Sequence, residues 1–208
     1  MALEITQSVK YRTPLRQAQR DLTRGRIKDA ARDLFYTQHY DTTTMDEIAG
    51  AAGLRRSTLY LHYRDKSEIL SELIADYTPK GRDVMARLPG PHPTQKQVLR
   101  WIGDVVKFVE TERVPLIIIL ELRRNPAQSK VLEPLTASLI EALGTRNPPF
   151  AEAARESTDV TLRARALLLL QELTYVCELY LDTPGTPFAK ALLQITASNF
   201  ERFLAEPA

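Results

Sequence analysis

Residues 43–66 read TTMDEIAGAAGLRRSTLYLHYRDK, and the spacing within this stretch predicts two short helices around a tight turn. Thr44 stands three residues before Glu47, the spacing at which a Thr hydroxyl accepts a backbone N–H and the Glu carboxylate reaches back. Met45, Ile48, Ala49 and Ala52 recur at helical intervals, so one face can be buried. The small Ala49, Ala51 and Ala52 admit a neighbouring helix at close range. Gly53 falls where the chain needs a left-handed cap, and Leu54 can fold back onto the helix it leaves. A second helix is expected from Arg56 to about Tyr63, with Leu59 and Tyr63 facing inward. Two helices so joined form a helix-turn-helix, whose second helix fits the DNA major groove.

The start of that second helix breaks a local rule. A helix N-terminus is partly positive, so Arg55 and Arg56 there cost a few tenths to ~1 kcal/mol, and Arg55 is a poor N-cap. An external anion or a guanine edge would remove the conflict, since an arginine can pair bidentately with guanine O6 and N7. Taken alone, the pair reads equally well as two solvated arginines.

The surroundings favour the first reading. The stretch from about Arg20 to Tyr77 resembles the DNA-binding domain of the tetracycline-repressor (TetR) family of bacterial regulators. The resemblance is carried by Ala30–Ala31, Leu34–Phe35, Tyr40–Asp41, Thr43–Thr44, Ile48–Ala49, Ala52–Gly53, Thr58-Leu59-Tyr60, His62-Tyr63, Lys66 and Ile69–Leu70, in that order and at these spacings. Arg55 stands where the family often has a capping Ser, and Ser57 where it often has Gly. The resemblance implies that Thr43, Thr44, Tyr60, His62 and Lys66 contact phosphates or position the helix, while Arg55, Arg56, Ser57 and Thr58 face base edges. On that reading Lys66→Ala is expected to weaken binding to all duplexes alike and lower the salt slope by about one unit, and Arg56→Ala to relax preference at a base position.

Charge is divided in the same sense. Residues 1–66 hold 12 Lys and Arg against 8 Asp and Glu, a balance of +4; residues 67–208 hold 16 against 18, a balance of −2. A basic first third on a mildly acidic remainder suits a nucleic-acid-binding module on a regulatory body. The opening MALEITQSVKYR lacks the apolar core of a signal peptide, and no apolar run approaches the ~20 residues that cross a bilayer. A cytoplasmic protein without membrane contact is expected, and the single Cys177, in an apolar stretch, reads as a small core residue.

The helical pattern continues after the motif. Residues 1–19 are expected as an N-terminal arm bearing Lys10, Arg12 and Arg16, residues 20–66 as the DNA-binding domain of three helices, and residues 67–208 as an effector-binding and dimerisation domain. Asp65 can cap a fourth helix, which either ends near Tyr77 or kinks at Pro79 and runs on to Met85. Leu88–Pro93 reads as a loop, Thr94–Glu112 as a helix with Val98, Trp101, Ile102, Val105, Phe108 and Val109 on one face, and Pro115 as the first turn of another. A further helix reaches about Leu143, a loop holds Pro148–Pro149, and two long helices follow over about Val160–Asp182 and Pro187–Ala205. The chain is expected to be all-α with about nine helices.

Catalytic and metal chemistry are not indicated. His39, His62 and His92 are scattered with no ligand at metal spacing beside them, and no phosphate loop or nucleophile elbow is present, so no metal, cofactor or enzymatic activity is expected. The expected function is a repressor that binds a palindromic operator as a homodimer through its last two long helices and is released by a small-molecule effector. Met85, Trp101, Phe108, Glu172, Tyr175 and Tyr180 are the candidate pocket lining, each competing with a plain core or edge role. The rival readings are a DNA-binding protein whose C-terminal body contacts another protein, and an α-helical enzyme or carrier.

Overall fold

The computed structural model describes residues 3–155 and 159–205, with side chains from residue 14 onward except 126 and 127. Among the described residues every regular element is helical, so the protein is all-α. The elements are α1 (Leu3–Gln38), α2 (Met45–Ala51), α3 (Arg56–Tyr60), α4 (Lys66–Met85), α5 (Gln95–Thr111), α6 (Arg113–Arg124), α7 (Pro126–Ser129), a 3-10 turn at Lys130–Leu132, α8 (Glu133–Leu143), α9 (Pro148–Ala153), α10 (Val160–Asp182) and α11 (Pro187–Ala205).

Two compact units divide inside α4, between Leu73 and Ile74. The expected boundary at residue 66 falls a full two turns earlier, and the reason is visible in the packing. Ile69 and Leu70 are buried, and Glu72 takes hydrogen bonds from Arg24 and from the Tyr63 hydroxyl (2.8 Å), so the first turns of α4 complete the N-terminal unit. Ile27, Ala31 and Phe35, spaced by four along α1, form the other wall of that core with Ile48, Ala49 and Leu59. The expected arm over 1–19 coincides, from Leu3, with the opening turns of α1; the side chains of Lys10 and Arg12 lie outside the described residues.

Helix α4 runs through Pro79 to Met85 without a break. Proline removes one backbone donor, and the neighbouring Thr78 hydroxyl donates to the Ile74 carbonyl at 2.7 Å in the same turn.

The second unit is built on α5, α10 and α11. The α5 face buries Val98, Trp101, Ile102, Val105 and Val109 as the periodicity predicts, with Val106 in addition. Trp101 stacks obliquely on Phe200 (5.4 Å between centroids), and Phe150 bridges Phe200 and Phe203 at 5.8 and 4.7 Å. Thr94 and Gln97 form a reciprocal capping box that starts α5. Pro148–Pro149 is not a loop: the two prolines open α9, where the first turn needs no backbone donor and a fixed φ is an advantage. Among the described residues no helix is long and apolar enough to cross a membrane.

Candidate nucleic-acid interface and ligand cavity

The frame of the helix-turn-helix is held by local bonds that the sequence announces. The Thr44 hydroxyl accepts the Glu47 N–H (3.3 Å), and the Glu47 carboxylate accepts the Thr44 N–H (2.8 Å). These backbone and hydroxyl bonds hold the Glu47 carboxyl below its usual pKa. At the other end of α2, Gly53 takes a φ of +65°, its N–H bonds the Gly50 carbonyl, and the Leu54 N–H bonds the Ala49 carbonyl. That pair of bonds is a Schellman motif, which a left-handed residue must close. Arg26 from α1 adds a hydrogen bond to the Ala52 carbonyl at 2.5 Å.

Helix α3 is shorter than expected. It ends at Tyr60, and residues 61–62 form a turn that carries the chain to the buried Tyr63. Arg55 occupies the N-cap position with no side-chain cap bond, as expected of a residue that cannot cap. Arg55 and Ser57 are exposed, Thr58 is half-buried, and Tyr60 is exposed. The Arg56 guanidinium bonds Asp46 of α2 at 2.7 Å and lies 5.6 Å from the Tyr60 ring centroid. Leu61, read from its spacing as pointing away from the inward face of Leu59 and Tyr63, is 78% exposed beside Tyr60. Two residues from buried Leu59, Leu61 cannot share its helical face.

Other expected contact residues turn inward. Thr43 is buried, and its hydroxyl donates to the His39 carbonyl at 2.8 Å. Lys66 directs its ammonium at the carbonyls of Tyr40, Asp41 and Thr43, at 2.6, 2.9 and 2.9 Å. An ammonium has three donors, so these bonds occupy all of them, and Lys66 clamps the α1–α2 turn rather than standing free for a phosphate. His62 gives its carbonyl to Arg24 (3.1 Å), while its buried Nδ1 has no partner among the described residues. Burial, then the charges of Arg20 and Arg24, lower the His62 pKa. Much of the basic excess on α1 is likewise spent internally: Arg24 and Lys28 both reach Glu72, whose pKa is lowered because these bonds and that from Tyr63 outweigh burial.

The second unit contains a cavity of about 600 Å³ walled by α8, α9 and α10, with Leu132, Ile140, Leu167 and Gln171 in its lining. A smaller slot of about 40 Å³ lies among Tyr77, Met85, Phe108 and Cys177. Arg123 lines both. Met85 and Phe108 therefore line the slot, whereas the other four expected lining residues line neither cavity. Trp101 is closed into the core with its indole N–H on the Val84 carbonyl (2.9 Å), and Tyr180 packs half-buried against that core. Glu172 accepts from Thr196 (2.8 Å) and Asn199 (3.0 Å) of α11, and Tyr175 is exposed. Among the described residues no group of His, Cys, Asp and Glu could hold a metal ion.

Residues 27–73 match the profile described as bacterial regulatory proteins, tetR family. The HTH-type transcriptional regulator AcrR of Shigella flexneri is 45% identical over 51 residues, which cover 24% of each chain. Residues 27–73 are a TetR-family domain.

The TetR-family fold extends past the matched domain. Salmonella enterica GusR superposes with a TM-score of 0.63 at 22% identity, over 85% of this chain and 94% of that one. Thermus thermophilus FadR, a TetR-family repressor solved in complex with lauroyl-CoA, covers 89% of this chain and 97% of its own at 24% identity and a TM-score of 0.50. The chain spans 24%, 33% and 48% of the length of AcrR and of the Pseudomonas putida regulators SrpR and TtgW.

Proposed function

We propose that this TetR-family regulator is a repressor that binds a palindromic operator as a homodimer and is released by a small molecule. The observation that carries the reading is the contrast within the N-terminal unit. The bonds of Thr44, Gly53, Arg26 and Lys66 fix the frame, while Arg55, Arg56, Ser57 and Tyr60 stand exposed at and beyond the start of α3. Exposed arginines at a rigid helix start suit base-edge recognition, and the Tyr60 hydroxyl suits a phosphate. The partner is double-stranded DNA, and the protein works in the cytoplasm.

Dimerisation is supported by an apolar face without a cover in the single chain. Leu168 and Tyr175 on α10, and Phe188 and Ile195 on α11, are each seven residues apart and more than half exposed. Two helices presenting such stripes suit a four-helix interface with a second copy. Effector release is supported by the cavity of about 600 Å³, a volume within the usual range for small-molecule sites. The lauroyl-CoA held by the FadR relative shows that a fold of this kind accommodates a ligand. A ligand preferring the non-binding state by ~1–3 kcal/mol would loosen the operator 5- to 150-fold.

Selection of bound duplexes from a random library tests the reading. A palindrome with half-sites about one helical turn apart, or a multiple of it, is expected. Recovery of no preferred sequence, or of an isolated half-site bound by a monomer, would refute it.

A further inference from the structure

Helix α6 carries Leu116, Ile119 and Arg123 at i, i+3 and i+7, a single helical stripe. Leu116 and Ile119 are buried, and all three line the inner slot, so a guanidinium continues an apolar face. The neighbouring cations of this unit pair with carboxylates: Arg124 with Glu178 at 3.4 Å, Arg82 with Glu141 at 2.6 Å, and Lys80 with Glu112 at 2.6 Å. Arg123 makes no side-chain hydrogen bond or ion pair among the described residues. Burial lowers its pKa and no neighbouring charge restores it, yet arginine stays protonated. A cation in the last turn of a helix offsets the dipole, but Arg124 already stands in that turn. A half-buried cation without a partner is a cost that a ligand would remove.

The lining sets the charge of that ligand. Among the described residues, the lining of the large cavity presents Arg123 and Arg163 against Glu133, a net single positive charge, between apolar walls of Leu132, Ile140 and Leu167. In the slot, burial raises the pKa of Tyr77 and pushes the Cys177 thiol up to about 12, so neither adds a negative charge near neutrality.

Resting on the reading of this cavity as the effector site, we propose that the effector is a monoanionic amphiphile, a carboxylate on an apolar body, with its carboxylate held by Arg123. A planar carboxylate matches the guanidinium fork in two parallel hydrogen bonds, and one negative charge balances the lining.

Calorimetry on the full chain with decanoate, 2-naphthoate and their neutral amides tests the assignment. Wild type is expected to bind at least one carboxylate about ten-fold or more tighter than its amide. Arg123→Gln should abolish that preference by weakening the carboxylate and leaving the amide unchanged. The ligand-free variant should melt no lower than wild type, because it loses no internal partner. Equal binding of acid and amide, no binding of either carboxylate, a preference surviving in Arg123→Gln, or its loss in Arg163→Gln instead would each overturn the proposal. Operator affinity measured alongside separates the two readings. A carboxylate held by Arg123 that leaves DNA binding intact supports the site and refutes release by this ligand class. An amide that binds better and loosens DNA refutes the anion and leaves release standing.

Discussion

Lys66 and Arg56 are both cations of the DNA-binding unit, and they differ in what holds them. Lys66 serves three carbonyls of the α1–α2 turn, at 2.6 to 2.9 Å. Removing its ammonium leaves those acceptors short, so Lys66→Met should destabilise this unit by about 2–4 kcal/mol in urea titrations followed by helicity. Arg56 forms an ion pair with Asp46 in which both side chains are more than half exposed, a contact worth little to folding. Arg56→Ala should therefore leave the urea midpoint nearly unchanged while costing about 1–3 kcal/mol of operator binding and relaxing preference at one base position. Uniform loss of affinity across all sequences would assign Arg56 to phosphate instead.

His62 gives the same unit a pH dependence. Its folded pKa lies below the ordinary 6.5, through burial first and then Arg20 and Arg24. The unfolded chain takes up a proton near pH 6.5 that the folded unit refuses, so stability is full above that pH and declines as pH falls towards the folded pKa. Urea midpoints should fall between about pH 7.5 and 5.5 in wild type and stay level in His62→Gln; a parallel fall in both would move the effect to another group.

Among the elements, the α2–α3 turn is the one most tightly specified by a single residue. A Cβ on Gly53 would stand 2.9 Å from the Arg26 Nη2 that bonds the Ala52 carbonyl, at a φ of +65° that disfavours any side chain. Gly53→Ala should cost about 1–2 kcal/mol and lower the thermal midpoint, with operator contacts otherwise preserved. A midpoint equal to wild type would mean that the turn is free to relax. This turn, the Thr44 cap and the α5 face were legible in the sequence because each depends on residues within one or two turns of the chain. The same local logic misread α9, where Pro148–Pro149 suits a loop and a first helical turn equally well. It also extended α3 by three residues, since buried Tyr63 keeps the helical period although the chain has left the helix.

For the whole molecule, the uncovered faces of α10 and α11 and the cavity of the second unit support the proposal that this chain works in pairs and answers to a ligand. Leu168→Arg combined with Ile195→Arg should convert a dimer into a monomer in light scattering at micromolar concentration, with far-ultraviolet dichroism unchanged, and should reduce operator affinity by far more than any single contact. Persistence of the dimer in the double variant would remove that face from the interface.

Amino-acid order alone determined the all-α class, the helix-turn-helix and the TetR-family match of residues 27–73. Caps, a left-handed glycine and apolar periodicity act over short stretches, and any one of them can be read from neighbouring residues. Tertiary structure alone decided which polar groups are spent inside the protein. Lys66 and Glu172 are engaged by partners, whereas Arg123 keeps its charge unmatched among the described residues, beside a cavity. Such assignments depend on hydrogen-bond partners 23 to 26 residues away in the chain, and on burial produced by several helices at once. No local pattern encodes them, because a polar side chain looks the same in sequence whether its partner is a carbonyl, a carboxylate or a ligand.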